Sequence, residues 1–134
     1  MSQLYLEDQT EGLIQSIQAL VTSIRAEDNI STIRGHISAI STVVSNVVNS
    51  TDNSMNKPDA NPALRECASP IIQTLAKCRD HLSKAGTDGM NSTNLREVTS
   101  KLPPIAFEIA RETKELVQQI DQIEFYDADG DDFR

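Results

Sequence analysis

The side chains that could perform chemistry in this chain are few and far apart. The cysteines are Cys67 and Cys78, and the histidines are His36 and His81. If one helix carries both cysteines, a rise of about 1.5 Å per residue places them about 16 Å apart. That distance is beyond disulfide reach, and a separation of eleven residues is not the spacing of a zinc-binding cysteine pair. We therefore interpret both thiols as small buried apolar groups and predict no metal site.

His36 is the residue that best fits a catalytic alternative. A histidine exposed on a helix bundle can carry a phosphoryl group, and His36 stands at the flank of an apolar stripe. Phosphotransfer bundles usually place a lysine and a glycine directly after that histidine, whereas 37–40 here are Ile-Ser-Ala-Ile. Phosphotransfer through His36 is kept as an alternative function.

The C-terminal segment begins like a calcium loop but does not complete one. Asp127, Asp129, Gly130 and Asp131 supply the acidic start, but an EF-hand needs its glycine at the sixth position and here it comes fourth. We interpret 125–134 as an acidic flexible tail. The sequence also holds no nucleophile elbow, P-loop or dinucleotide fingerprint, so we predict no enzyme activity and no cofactor.

Composition narrows the class of partner. The 134 residues carry a net charge of −8, with 38% hydrophobic residues, 4% aromatic residues and no Trp. A surface this negative repels phosphate backbones and anionic lipids, so we expect no nucleic-acid partner. No apolar run approaches the roughly 18 residues of a membrane span, which predicts a cytoplasmic protein without direct membrane insertion.

Four segments follow the apolar period of a helix, over about 8–25, 29–49, 61–85 and 93–123. Asp28 or Asn29 can cap the second helix, and Asn61-Pro62 can open the third. Loops are predicted over 50–61 and 86–92, with Gly86 as the stop of the third helix. The pattern predicts one all-α domain over 1–124, an antiparallel up-down-up-down four-helix bundle.

Prolines interrupt two of these helices. Pro70 predicts a bend or a late start in the third helix, because it removes one backbone hydrogen bond. Pro103-Pro104 allows two arrangements in the fourth: a kink, or a short helix that ends before a second begins at Pro103.

The last helix has more apolar surface than a bundle helix needs. At about 100° per residue its core arc is extended by roughly a further 80°. The extension consists of small or branched residues, and cations and an aromatic ring border it: Ala106, Ala110, Thr113 and Val117, then Phe107, Arg111 and Lys114. Two interpretations stay open, a trough that binds a partner helix or a surface that lets a neighbouring helix approach closely.

The last helix also carries a family resemblance. The stretch 102–117, LPPIAFEIARETKELV, resembles the final helix of the focal-adhesion-targeting-like domain that closes the GIT scaffold proteins and their fungal relatives, the SPA polarisome scaffolds. Thr10-Glu11, Ile17-Gln18 and Leu20 are similar to the first helix of that domain, and Asn61–Leu64 to the opening of its third. Together the similar segments cover roughly residues 10 to 121.

The resemblance implies a scaffold domain whose grooves bind short amphipathic helices, such as leucine-aspartate motifs. Lys114 matches the basic residue of the last helix, whereas Gln15 replaces the lysine that animal proteins have in the first. We therefore expect a groove that involves six residues: Gln15, Phe107, Ala110, Arg111, Lys114 and Val117.

Partners and place in the cell follow from the same resemblance. We expect actin or polarity effectors as partners, at the cytoplasmic cortex or hyphal tip of a fungal cell in polarised growth. Self-association through the full-length protein, or a purely structural dimerising bundle, is the remaining alternative.

Overall fold

The chain folds into helices. The computed structural model describes the backbone of residues 3–87 and 94–132 and the side chains of 5–86 and 94–123. Four helices are long, α1 (Gln3–Arg25), α2 (Ile30–Met55), α3 (Pro62–Thr87) and α5 (Leu102–Asp132), and α4 (Leu95–Thr99) is short. Those backbone ranges contain no strand. The predicted all-α class is confirmed.

The long helices surround one aliphatic core. α1 packs on α2, α2 on α3, α3 on α5, and α5 returns to α1, where the packing is the thinnest of the four. Each long helix contributes fully buried side chains, among them Leu13, Leu20, Ile33, Ile40, Leu75, Leu82, Ile109 and Leu116. None of the helices over the described residues is long and apolar enough to cross a bilayer.

Hydrogen bonds fix the relative direction of α2 and α3. Near the start of α2, Arg34 Nε donates to the Gly86 carbonyl at 2.7 Å. Further along α2, Arg79 Nη1 donates to Ser45 Oγ at 3.2 Å. Because residue numbers rise in α2 as they fall in α3, these two helices are antiparallel. The up-down-up-down order of the whole bundle stays a prediction.

α1 begins earlier than the apolar pattern predicted. It starts at Gln3 rather than near residue 8, and Leu6 is fully buried. Leu6 stands seven residues before Leu13, so it continues the same stripe by two helical turns. The Thr10 hydroxyl, which donates to the Leu6 carbonyl at 2.7 Å, adds a side-chain bond within this part of the helix.

α2 ends later than predicted, at Met55, so the loop predicted over 50–61 is shorter and follows it directly. Thr51, Ser54 and Met55 are buried although two of them are polar. Small hydroxyl side chains can occupy core positions when they have hydrogen-bond partners. The buried face of α2 therefore extends further than the pattern of hydrophobic residues indicates.

The predicted helix starts at Asn29 and Asn61 are confirmed. The Asn29 side-chain oxygen accepts from the Thr32 N–H at 2.9 Å. The Asn61 side-chain oxygen accepts from the Ala63 N–H at 2.9 Å, with Pro62 as the first residue of α3. Both asparagines satisfy backbone donors that a helix start leaves without intrahelical partners.

The prolines behave differently in the two helices that contain them. α3 runs unbroken through Pro70, so a late start there is wrong. α4 ends at Thr99 and α5 begins at Leu102, which places Pro103 and Pro104 in the first turn of α5. A missing N–H costs least at that position, and this selects the second of the two predicted arrangements.

Gly86 does not stop α3, which continues through Thr87. A methyl group at Gly86 would lie 2.8 Å from Ile37 Cδ1, so glycine serves the close approach of α2 and α3. Most of the loop predicted over 86–92 lies outside the described residues.

The last helix continues past the predicted end of the bundle. α5 runs to Asp132, where the sequence predicted a tail over 125–134. No proline or glycine occurs between Ile123 and Gly130 to break the helix. The flexibility of this segment stays a prediction, and its calcium-like side chains lie outside the described ones.

Candidate functional site

A groove of about 380 Å³ separates α1 from α5. We call it the α1–α5 groove. Its lining consists of Glu7, Thr10, Glu11, Ile14 and Gln15 from α1 and Lys114, Val117 and Gln118 from α5. The groove runs along the contact between α1 and α5, which is the least extensive of the four contacts between neighbouring long helices.

The apolar floor of the groove comes from one residue on each helix. Ile14 follows the buried Leu13, and Val117 follows the buried Leu116. One residue turns the helix by about 100°, so each of these side chains leaves the core and lies on the flank. Both are partly buried, which leaves apolar surface open to solvent between the two helices.

The two walls of the groove differ in charge. The α1 wall carries Glu7 and Glu11, which are four residues apart and lie on the same side of the helix. The α5 wall carries Lys114, with the uncharged Gln118 one turn further on. A ligand in this groove therefore meets two carboxylates on one side and one ammonium group on the other.

Comparison with known proteins gives the chain a family. The model for the C-terminal region of G protein-coupled receptor kinase-interacting protein 1 matches residues 3–121, which is most of the chain. The chain belongs to this family. The matched range contains every residue of the α1–α5 groove. The expected GIT and SPA resemblance is confirmed.

One curated relative supports the same assignment. Protein SPA2 of Saccharomyces cerevisiae is 30% identical over an alignment of 135 positions, which covers 92% of this chain and 9% of that protein. The chain thus spans less than a tenth of the relative's length. No solved structure matches the chain. Membership of a scaffold family favours a role in binding over one in catalysis.

Three of the six predicted site residues of this GIT-family domain lie together. Gln15, Lys114 and Val117 line the α1–α5 groove. Ala110 is half-buried and packs against the core. Phe107 is 54% exposed and is not among the lining residues. The structure thus places one predicted residue of α1 and two predicted residues of α5 in the same groove.

Arg111 is directed away from this groove. Its guanidinium pairs with the carboxylate of Glu108, one turn earlier on α5. Burial raises the pKa of the Cys78 thiol on α3; Glu108 and Glu112 raise it further, and Arg111 lowers it. Arg111 is therefore an electrostatic neighbour of α3, which packs on the other flank of α5.

Part of the predicted apolar surplus of α5 belongs to the core. Ala106 and Thr113 are buried, and the Thr113 hydroxyl donates to the Ile109 carbonyl at 2.8 Å. For these two residues the close approach of a neighbouring helix is the correct interpretation. The surface left open is the narrower edge formed by Ala110 and Val117.

Several groove residues were missed at the sequence level. Glu7 precedes the predicted start of the first helix, and Glu11 lies in its first turn. Ile14 stands directly after Leu13, and both fit the apolar period of the first helix, so the period alone does not separate the groove residue from the core residue. An apolar pair in adjacent positions is the signal that could have separated them, because only one of two consecutive residues can point directly inward.

The residues considered for other chemistry lie elsewhere. His36 is half-buried on α2 and does not line the α1–α5 groove, and His81 is exposed on α3. Cys67 and Cys78 are free thiols that pack against the core but are partly rather than fully buried.

Proposed function

We propose that this chain is a protein-binding domain of a cell-polarity scaffold and that it docks amphipathic helices of partner proteins in the α1–α5 groove. The groove itself carries the proposal: apolar Ile14 and Val117 form its floor, and polar or charged residues form both walls. That arrangement suits a helix with one apolar face. Family membership supports a binding role for the same region.

The docking surface extends along α5 from Val117 to Phe107 in this proposal. Phe107, Ala110, Lys114 and Val117 follow each other at spacings of three and four residues, which places them along one edge of the helix. The eleven residues from Phe107 to Val117 are separated by ten helical rises, which span about 15 Å. A partner helix of roughly three turns would cover this length. Phe107 would supply exposed apolar contact at the far end.

The proposal includes the order of the bundle. In an up-down-up-down bundle α1 and α5 are antiparallel neighbours, so their flanks form a continuous furrow between them. The four-residue connection between α1 and α2 and the antiparallel pair of α2 and α3 support this order.

Membership of the family and the similarity to Protein SPA2 support the cellular part of the proposal. The domain would recruit actin or polarity effectors to the cytoplasmic cortex at a site of polarised growth, without catalysis. A fluorescent fusion expressed in budding yeast tests the location. Uniform cytoplasmic fluorescence in growing cells would contradict it.

Chemical-shift mapping tests the docking site without any substitution. The probe is an 18-residue helical peptide with leucines on one face and glutamines along both edges, added to the 15N-labelled chain. We expect the largest amide shifts on α1 and α5 beside the groove. Shifts confined to the α2–α3 side, or none at millimolar peptide, would refute the proposal.

A matched pair of variants gives the second measurement. Val117→Asp introduces a carboxylate into the apolar floor, whereas Ala39→Asp introduces the same charge at an exposed position of α2. We expect Val117→Asp to weaken peptide binding at least tenfold and Ala39→Asp to leave it unchanged. Far-ultraviolet circular dichroism checks that both variants are folded. Equal affinities for the two folded variants would place the site elsewhere.

A further inference from the structure

We infer that the α1–α5 groove selects a partner helix with a basic edge and disfavours helices that are acidic on both edges. This inference rests on the proposed function, because it concerns the occupant of the same groove. It commits to one occupant: a helix with an apolar face for Ile14 and Val117 and with Lys or Arg along the edge that meets α1.

The α1 wall supplies the first argument. Glu7 and Glu11 place two carboxylates one turn apart along the groove, and Gln15 continues the wall one turn later without a charge. The groove lining includes no cation from α1. A partner edge that bears aspartate or glutamate would therefore face two like charges here.

The α5 wall supplies a single cation in return. Lys114 lines the groove, whereas Arg111 pairs with Glu108 and faces the α3 flank. One ammonium group can attract one acidic residue of a partner, but it cannot attract an acidic edge that lies against α1. The net charge of −8 adds a background potential of the same sign as the α1 wall.

These groups act on selection more than on affinity. Glu7, Glu11 and Lys114 are exposed, so each pair that they form with a ligand is weak and screened by salt. The apolar floor would supply most of the affinity, and the walls would rank helices that fit the floor equally well. Reversal of a bound helix exchanges its two edges, so a test needs peptides whose two edges are alike.

Three peptides that share one leucine face test the inference: lysines along both edges, glutamates along both edges, and the uncharged glutamine version. We measure their dissociation constants by fluorescence anisotropy at about 50 mM and about 500 mM salt. We expect the lysine peptide to bind about tenfold more tightly than the glutamate peptide at low salt, with the uncharged peptide between them. The difference should shrink at high salt, where the Debye length is only a few ångströms.

Glu11→Lys and Glu66→Lys separate the wall from the net charge. Both change the total charge equally, but Glu66 is exposed on α3 and does not line the groove. We expect Glu11→Lys to lower the lysine-to-glutamate preference about threefold or more and Glu66→Lys to lower it less than twofold. Equal effects would assign the preference to the whole chain and overturn the role of the α1 wall.

The outcomes for the two proposals differ. If the uncharged peptide binds but the glutamate peptide binds as tightly as the lysine peptide, docking stands and the basic-edge inference fails. If none of the three peptides binds, the proposed function itself fails. If the peptides instead disrupt a dimer seen by sedimentation of the free chain, a second copy occupies the groove and the inference is overturned.

Discussion

Glu27 ends α1 with a backbone conformation that usually belongs to glycine. Its φ is 56°, in the left-handed region. Its N–H donates to the Ile24 carbonyl at 3.1 Å, and the Asp28 N–H donates to the Ser23 carbonyl at 3.0 Å. These two bonds form a Schellman motif, in which the residue after the helix cap takes the left-handed conformation. Glu27→Gly should therefore relieve a local cost.

The magnitude comes from three effects. A residue with a Cβ pays about 1–2 kcal/mol in the left-handed region. Glycine in turn loses about 0.5–1 kcal/mol through the greater freedom of its unfolded chain. The Glu27 carboxylate also accepts from Arg96 Nη2 at 2.9 Å, but the two side chains are 72% and 92% exposed. A pair that exposed is worth between about 0 and 1 kcal/mol, which is comparable with the net relief of the backbone, so the two contributions must be measured separately.

Glu27→Ala isolates the backbone effect, because it removes the same ion pair and keeps the Cβ. The glycine variant should be more stable than the alanine variant by about 0.5–1 kcal/mol, which corresponds to about 2–4 °C in Tm for a chain of this size. Urea unfolding at low and at high salt measures both terms, since only the ion pair is screened. Equal stabilities of the two variants at both salt concentrations would show that residue 27 is not left-handed in solution.

Two further predictions concern packing and thiol chemistry. Gly35→Ala should stabilise the chain by up to about 1 kcal/mol, because the added methyl group meets nothing within 4 Å and alanine favours the helix. The Gly86→Ala variant should be less stable than the Gly35→Ala variant by about 1–3 kcal/mol, because its methyl group overpacks against Ile37. Equal urea midpoints of the two variants would contradict the close approach of α2 and α3. Burial raises the pKa of Cys67 and Cys78 and so lowers their thiolate fraction. Near pH 8, iodoacetamide should modify both thiols more slowly than it modifies free cysteine. The rate should increase when the pH rises beyond about 9 or when the chain is unfolded. Equal rates for the folded and the unfolded chain would refute this prediction.

The sequence predicted the helices where the apolar period is strong and where a cap has its own chemistry. Asn29 and Asn61 are examples, since a side-chain oxygen that accepts from a nearby N–H is a local interaction. The end of α2 could not be predicted in the same way. Thr51 and Ser54 are polar by composition, and their burial depends on what the rest of the fold places around them.

The angular pattern of apolar residues in α5 was sufficient to predict which residues face the core, but not which residues on its flanks are buried. A helical projection places Ala106 and Val117 next to each other at the edge of the apolar arc. In the structure Ala106 is fully buried and Val117 lines a groove. The two residues differ in burial because they lie at different heights along the helix axis and therefore have different neighbours. A small side chain is covered wherever another helix comes close. A single helix cannot indicate where that happens.

The charge of the groove depends on which two helices form its walls. For this reason the sequence predicted the charge of the α5 wall but not that of the α1 wall. Lys114 could be identified from α5 alone, and an ammonium group considered by itself favours an acidic partner. The early start of α1 makes residue 7 helical, and the groove then presents Glu7 and Glu11 opposite Lys114. The buried Leu6 packs that first part of α1 into the core. The same apolar contact that extends α1 therefore also positions the carboxylates, so the preference for a basic edge is set by the first turns of the chain rather than by its last helix.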